Sequence, residues 1–300
     1  MSFFGLGKAV TVDVTFAGGD QQRSERVKSP ESGQLEILPS FHSGETVAGH
    51  VHLSPAPGKA IDHLGIKCEI LGQCELYFDR GNAHDFVSLV REMKPPGELR
   101  GPLSIPFEFS RVELPYESYR GINARVRYFV RVTVQRGFGA TVVAETPFLV
   151  RNPVIAPPEM NASIKMEVGI EDCLHIEFEY AKNKYHLDDV VVGKIFFLLV
   201  RIKIKHMEVE IRRRESTGTG ANAYNESETI AKYEVMDGAP VRGESIPVRL
   251  FLAPYDLTPT YKNVANRFGV KYYLNLVLVD EEDRRYFKQQ EITMYRQEEK

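Results

Sequence analysis

Apolar residues recur at every second position along much of this chain. Val10, Val12, Val14 and Phe16 share one face of a segment whose other face is Thr11, Asp13 and Thr15. Ile66, Cys68 and Ile70 oppose Lys67 and Glu69. Tyr128, Val130, Val132 and Val134 oppose Arg127, Arg131 and Thr133. The second half repeats the rule with Ile164, Met166, Val168 and Ile170, and with Leu174, Ile176, Phe178 and Tyr180. Successive side chains of a strand point to opposite faces, so this period predicts strands buried on one side. One segment reads two ways. Phe86, Leu89, Val90 and Met93 fit the i, i+3, i+4, i+7 spacing of a helix that Asn82 or Asp85 could cap, and the same run also reads as a strand.

Turn residues separate these runs: Ala17-Gly18-Gly19-Asp20, Ser54-Pro55-Ala56-Pro57-Gly58, Lys94-Pro95-Pro96-Gly97 and Asp237-Gly238. The stretch from Glu215 to Glu228, rich in Gly, Ser, Thr and Asn, reads as a mobile hairpin loop. Many strands with turn punctuation and no alternating helices predict an all-β protein of antiparallel, immunoglobulin-like sandwiches. Arg151-Asn152-Pro153-Val154-Ile155-Ala156-Pro157-Pro158-Glu159 carries three prolines, which a central strand does not tolerate. It predicts a stiff linker over 152–160, between one sandwich at 1–151 and another at 161–300.

Composition agrees. The chain has 300 residues, 43% hydrophobic and 26% charged, enough for two cores. A formal charge of −3 lacks the basic footprint of a nucleic-acid binder. Cys68, Cys74 and Cys173 form no disulfide framework. Cys68 and Cys74, on one strand, would stand about 20 Å apart by strand rise, beyond bridging distance. Buried, reduced thiols are expected, which suits the cytosol. Met1 to Val10 lacks the pattern of a signal peptide, so the Asn161 and Asn225 sequons are expected to have no use. Ile195 to Val200 is too short an apolar run to span a bilayer.

Catalytic patterns are missing. There is no G-x-S-x-G elbow, P-loop or HExxH, and Gly218-Thr219-Gly220 lacks the third glycine of a dinucleotide loop. His50 and His52 share a strand face without a third ligand nearby, so no metal, cofactor or catalytic site is expected. Asp280-Glu281-Glu282-Asp283 reads as a solvated hairpin turn. Arg201, Lys203 and Lys205 alternate with Ile202 and Ile204, which predicts three cations on one sheet face. That face is either solvated or a basic surface for anionic lipid or an acidic partner.

Several segments carry a resemblance. Pro106-Phe107-Glu108-Phe109, Leu114 to Gly121, Val126 to Val132 and Gly44 to Gly49 resemble the N-terminal sandwich of arrestin-fold proteins. Ser163 to Tyr180, Thr229 to Phe251 and Tyr273 to Glu291 closely resemble the arrestin-like subunit of retromer. The resemblance implies an arrestin-like fold and a non-catalytic subunit of an endosomal coat, cytoplasmic and peripheral on endosomal membranes. It implies that the second sandwich docks on an α-solenoid scaffold subunit through the loop Tyr233-Glu234-Val235-Met236-Asp237-Gly238. It also implies that sorting nexins and short cytosolic sorting motifs of membrane cargo meet the chain at Val168 and Phe287. Membrane contact is then expected to be indirect, and a homodimer in the assembled coat is a further implied contact. The family's acidic contact for a PDZ-containing sorting nexin does not carry over, because Ser43 precedes Gly44. An arrestin-type adaptor for phosphorylated receptor tails is the alternative reading.

Overall fold

The computed structural model describes residues 10–28, 33–79, 82–154, 162–170, 172–218 and 223–298. The chain divides into two compact units, one ending at Asn152 and one starting at Pro153. Asn152 is held in the first unit: its N–H donates to the Glu117 carboxylate, and its amide donates to the Leu114 carbonyl at 2.7 Å. Val154 is bridged to Gln297 in the second. Most of the expected linker, 155–160, lies outside the described residues.

The first unit holds β1 (Val10–Phe16), β2 (Ser24–Lys28), β3 (Leu35–Phe41), β4 (Val47–Pro55), β5 (Ile61–His63), β6 (Gly65–Leu76), β7 (His84–Lys94), β8 (Gly97–Leu99), β9 (Leu103–Phe109), β10 (Tyr119–Arg120), β11 (Ala124–Gln135) and β12 (Val142–Val150). One sheet runs β1-β4-β9, a larger one β2-β3-β12-β11-β6-β7 with β10 on β11, and β5 pairs β8. Phe16, Phe41, Phe107 and Phe148 meet edge-on or tilted with ring centroids 5.4–6.5 Å apart. Such geometry suits the positive edges and negative faces of aromatic rings. Gly49 and Gly72 are required by close approach. A Cβ on Gly49 would stand 2.1 Å from the Thr15 carbonyl oxygen, and one on Gly72 would strike Tyr128 and Phe86.

The second unit holds β13 (Ile164–Ile170), β14 (Leu174–Tyr180), β15 (Lys184–His186), β16 (Val190–Val200), β17 (Ile204–Thr217), β18 (Tyr224–Asp237), β19 (Ser245–Phe251), β20 (Tyr261–Val264), β21 (Phe268–Asp280) and β22 (Arg285–Tyr295). Its sheets run β13-β14-β16-β19 and β15-β22-β21-β17-β18, with β20 on β21. The alternation expected for β13 and β14 is present: Ile164, Met166 and Val168 on β13, and Leu174, Ile176, Phe178 and Tyr180 on β14, are all buried.

The open reading is settled as a strand: Phe86 to Met93 lies in β7. Three expectations need correction. Cys173 is only half-buried, whereas Cys68 and Cys74 are buried. Burial, helped by the neighbouring Glu69 charge, pushes the Cys68 thiol up to about 12, so it stays protonated. The Glu215–Glu228 hairpin loop is shorter than expected, because β17 continues to Thr217 and β18 starts at Tyr224; residues 219–222 lie outside the described residues. Finally, Arg201 and Lys203 fall between β16 and β17, so only Lys205 belongs to a strand. Among the described residues, no helix is long and apolar enough to cross a membrane.

Candidate docking surfaces

β18 is an outer strand of its sheet, paired with β17 on one side only. Met207 stands opposite Met236 and Glu208 opposite Glu234, so Val235 is an extra residue in a β-bulge. A bulge strengthens local twist and re-aims the side chains around it. The strand ends at Asp237. Gly238 then turns the chain with φ +110° and donates its N–H to the Lys205 carbonyl at 2.8 Å. Tyr233 and Glu234 are exposed, and Val235 and Met236 are half-buried. Val241, just beyond, is 70% exposed. The residues Tyr233 to Gly238 therefore form a rim whose apolar side chains are only partly covered by their own sandwich.

The base of that rim is polar and well paired. Lys232 reaches Glu208 at 3.3 Å and Glu210 at 3.0 Å, and the Asn275 amide donates to Glu210 at 2.9 Å. Burial works to raise the Glu210 carboxyl, but the bonds from Asn275 and Lys232 outweigh it and hold the group below its ordinary value.

A second surface lies where two strand edges are open. β13 is the outer strand of its sheet. β22 pairs with β21 along Arg285–Ile292, but its other edge meets β15 only at Thr293–Tyr295. β13 and β22 are in contact. A groove of about 550 Å³ there is lined by Lys165, Met166, Glu167, Phe178, Lys288 and Gln290, among others. Val168 is buried, facing the core opposite Ile176, and is not among the groove's lining residues. Phe287 is 69% exposed on the first half of β22. The structure thus separates the two in character, one a core residue and one a bare aromatic ring beside an open edge.

The basic run has partners. Lys203 pairs with Glu281 at 3.4 Å and Lys205 with Asp283 at 3.0 Å, while Arg201 donates to the Asp172 carbonyl at 3.1 Å. The acidic turn itself is built on Asp280, which accepts from the Glu282 and Arg284 backbone, from Arg284 Nε and from the Tyr286 hydroxyl. Burial tends to raise the Asp280 carboxyl, but these donors, Arg284 first, hold it below its ordinary value.

His50 and His52 stack with ring centroids 6.2 Å apart, and His52 bonds to the Thr15 hydroxyl. Sequence reasoning missed a different cluster. Glu167 stands opposite Glu177 across β13 and β14, and His175 Nε2 lies 3.8 Å from a carboxylate oxygen of each. These ligand atoms lie within 4.8 Å of one another, so among the described residues Glu167, His175 and Glu177 could take a cation. Pairing across strands creates this group; Glu167 and Glu177 are ten apart in sequence, and only the hairpin register signals their meeting.

A family model described as Vacuolar protein sorting-associated protein 26 matches residues 6–283 of the chain. The chain belongs to the Vps26 family. Vacuolar protein sorting-associated protein 26A of Arabidopsis thaliana is 62% identical over 96% of this chain and 95% of its own length. The 26B protein of the same plant is 61% identical over 96% and 94%. Human vacuolar protein sorting-associated protein 26B is 57% identical over 99% of this chain and 88% of its own. The Vps26 family is one of protein sorting, its relatives carry trafficking names, and its arrestin-like architecture matches the all-β sandwiches described above.

Proposed function

We propose that this chain is a non-catalytic subunit of the retromer coat, which holds an α-solenoid scaffold subunit through Tyr233 to Gly238 and helps sorting nexins select membrane cargo. The observation that carries the reading is the half-buried Val235-Met236 pair, on a bulged edge strand with a fixed turn behind it, in a Vps26-family chain. A preformed apolar pair loses little side-chain freedom on docking, and methionine adapts its shape to a partner. Cargo selection is assigned to the open edges of β13 and β22. An extended sorting peptide would gain affinity from main-chain pairing and selectivity from an apolar side chain seated against the exposed Phe287 ring, with Val168 supporting β13 from the core.

The test is isothermal calorimetry against the solenoid subunit with the double substitution Val235→Ser and Met236→Gln. Binding is expected to be lost while the melting temperature stays within a few degrees of wild type. Wild-type affinity in the double variant would refute the scaffold assignment.

A further inference from the structure

The first unit's larger sheet has an end opposite to that from which the chain leaves at Val150. Three segments meet there. Leu64 donates its N–H to the Gln135 carbonyl at 2.8 Å, and Ile66 stands opposite both Val134 and Lys94. Residues 64–65, 94–97 and 136–141 therefore form one rim. Phe138 projects from it, 93% exposed, between Gly137 and Gly139. Leu64, 52% exposed, lies 3.5 Å from where a Gly137 Cβ would be, so it packs against the turn that carries Phe138. Gly139 adopts φ +92° and lets the Arg136 guanidinium lie against its backbone.

The charged residues within these segments are Lys94 and Arg136; the carboxylates Asp62, Glu92 and Glu98 lie one or two residues outside them, with Glu98 paired to Arg100. Neither cation has an ion pair among the described residues, and Arg136 Nε is shielded without a hydrogen-bond partner. Thr141 is the sole uncharged polar side chain of the rim. A surface with so few directional groups has little to offer a protein partner that must recognise it by hydrogen bonds. An apolar tip flanked by two cations instead matches the boundary of an anionic bilayer, where rings sit below the headgroups and cations sit among them.

We propose that this tip touches an anionic membrane directly, with Phe138 and Leu64 entering the headgroup boundary and Lys94 and Arg136 meeting lipid phosphate or carboxylate groups. One ring and two cations anchor weakly, so the contact adds to attachment through partners and orients the first sandwich.

The chain contains no tryptophan, which provides a clean test. Phe138→Trp places a single indole at the tip, and Phe78→Trp, in a separate variant, places one at an exposed site near the sheet's other end as a control. Vesicles of phosphatidylcholine with phosphatidylserine are expected to blue-shift the emission of the tip indole, and brominated acyl chains to quench it, with the control indole unchanged. Adding Lys94→Gln and Arg136→Gln should weaken the response roughly 30-fold, at about fivefold per cation. Unaltered emission from the tip indole, an equal shift of the control indole, or an equal response to phosphatidylcholine alone would each overturn the proposal. The lone chain and vesicles suffice, so the outcome is independent of the scaffold reading.

Discussion

Tyr128 and Tyr180 are both fully buried on strands, but their hydroxyls fare differently. Tyr128 donates to the Tyr116 carbonyl at 2.7 Å and accepts from the Tyr116 N–H at 3.3 Å. Tyr180 Oη is buried with no hydrogen-bond partner. Removing a satisfied group leaves its partner stranded, whereas removing an unsatisfied one relieves a desolvation cost. Tyr128→Phe is therefore expected to cost about 1–2 kcal/mol, and Tyr180→Phe to be neutral or stabilising by up to about 1 kcal/mol, by denaturant unfolding. Gly49→Ala should cost at least about 2 kcal/mol in the same measurement, because the new methyl meets backbone that cannot step aside. Glu210 gives a pH signature. Its carboxyl is held below its ordinary value near 4.5, so its contribution is full above that pH and fades as pH falls through the depressed value. Wild type and Glu210→Gln should thus differ in stability at neutral pH and converge in acid; a constant difference down to about pH 3 would contradict this. None of these partnerships could be read from residue type alone, since each joins positions distant in sequence or depends on local register.

β7 and β18 explain why some elements were legible and others were not. The period-two runs of β11, β13 and β14 announced themselves because none of them carries an extra residue; the one shift in β14's pairing puts the extra residue, Leu198, on β16. In β7, register shifts make Phe86 and Met93 extra residues, and both are half-buried. Two bulges seven residues apart break the alternation and imitate helical spacing, which is why the segment read both ways. The bulge at Val235 was equally invisible, although the Asp-Gly turn after it marked the hairpin end. Strand pairing also decided the fate of the basic run. The chain breaks between β16 and β17, and the β21–β22 turn brings Glu281 and Asp283 to Lys203 and Lys205. At this scale the double substitution of Val235 and Met236 should weaken solenoid binding at least ~100-fold, as expected when two central apolar contacts are removed. Replacing Tyr224, at the far end of the same strand, should leave it unchanged.

The whole molecule divides at Asn152 and Pro153, with each half holding its own sheets and core. Halves of this size are long enough to fold alone. A fragment spanning 153–300 is expected to give a cooperative melt by circular dichroism and to bind the solenoid subunit as tightly as the full chain. The fragment 1–152 should fold but not bind it. Loss of binding by the 153–300 fragment, with its fold intact, would place essential contacts outside Tyr233 to Gly238.

Alternation, turn residues and the proline-rich boundary determined by themselves that this chain is two tandem all-β units. Those signals are local, since a strand's face is written into every second residue. The long matching segments further determined the family. What tertiary structure alone decided is which strands lie at sheet edges, where bulges fall and which charges meet. It bared Phe287, paired Lys203 and Lys205 with carboxylates and brought Leu64 against the turn that carries Phe138. These outcomes depend on hydrogen-bonded register between segments far apart in sequence, and a shift of one residue in any register would send each side chain to the opposite face.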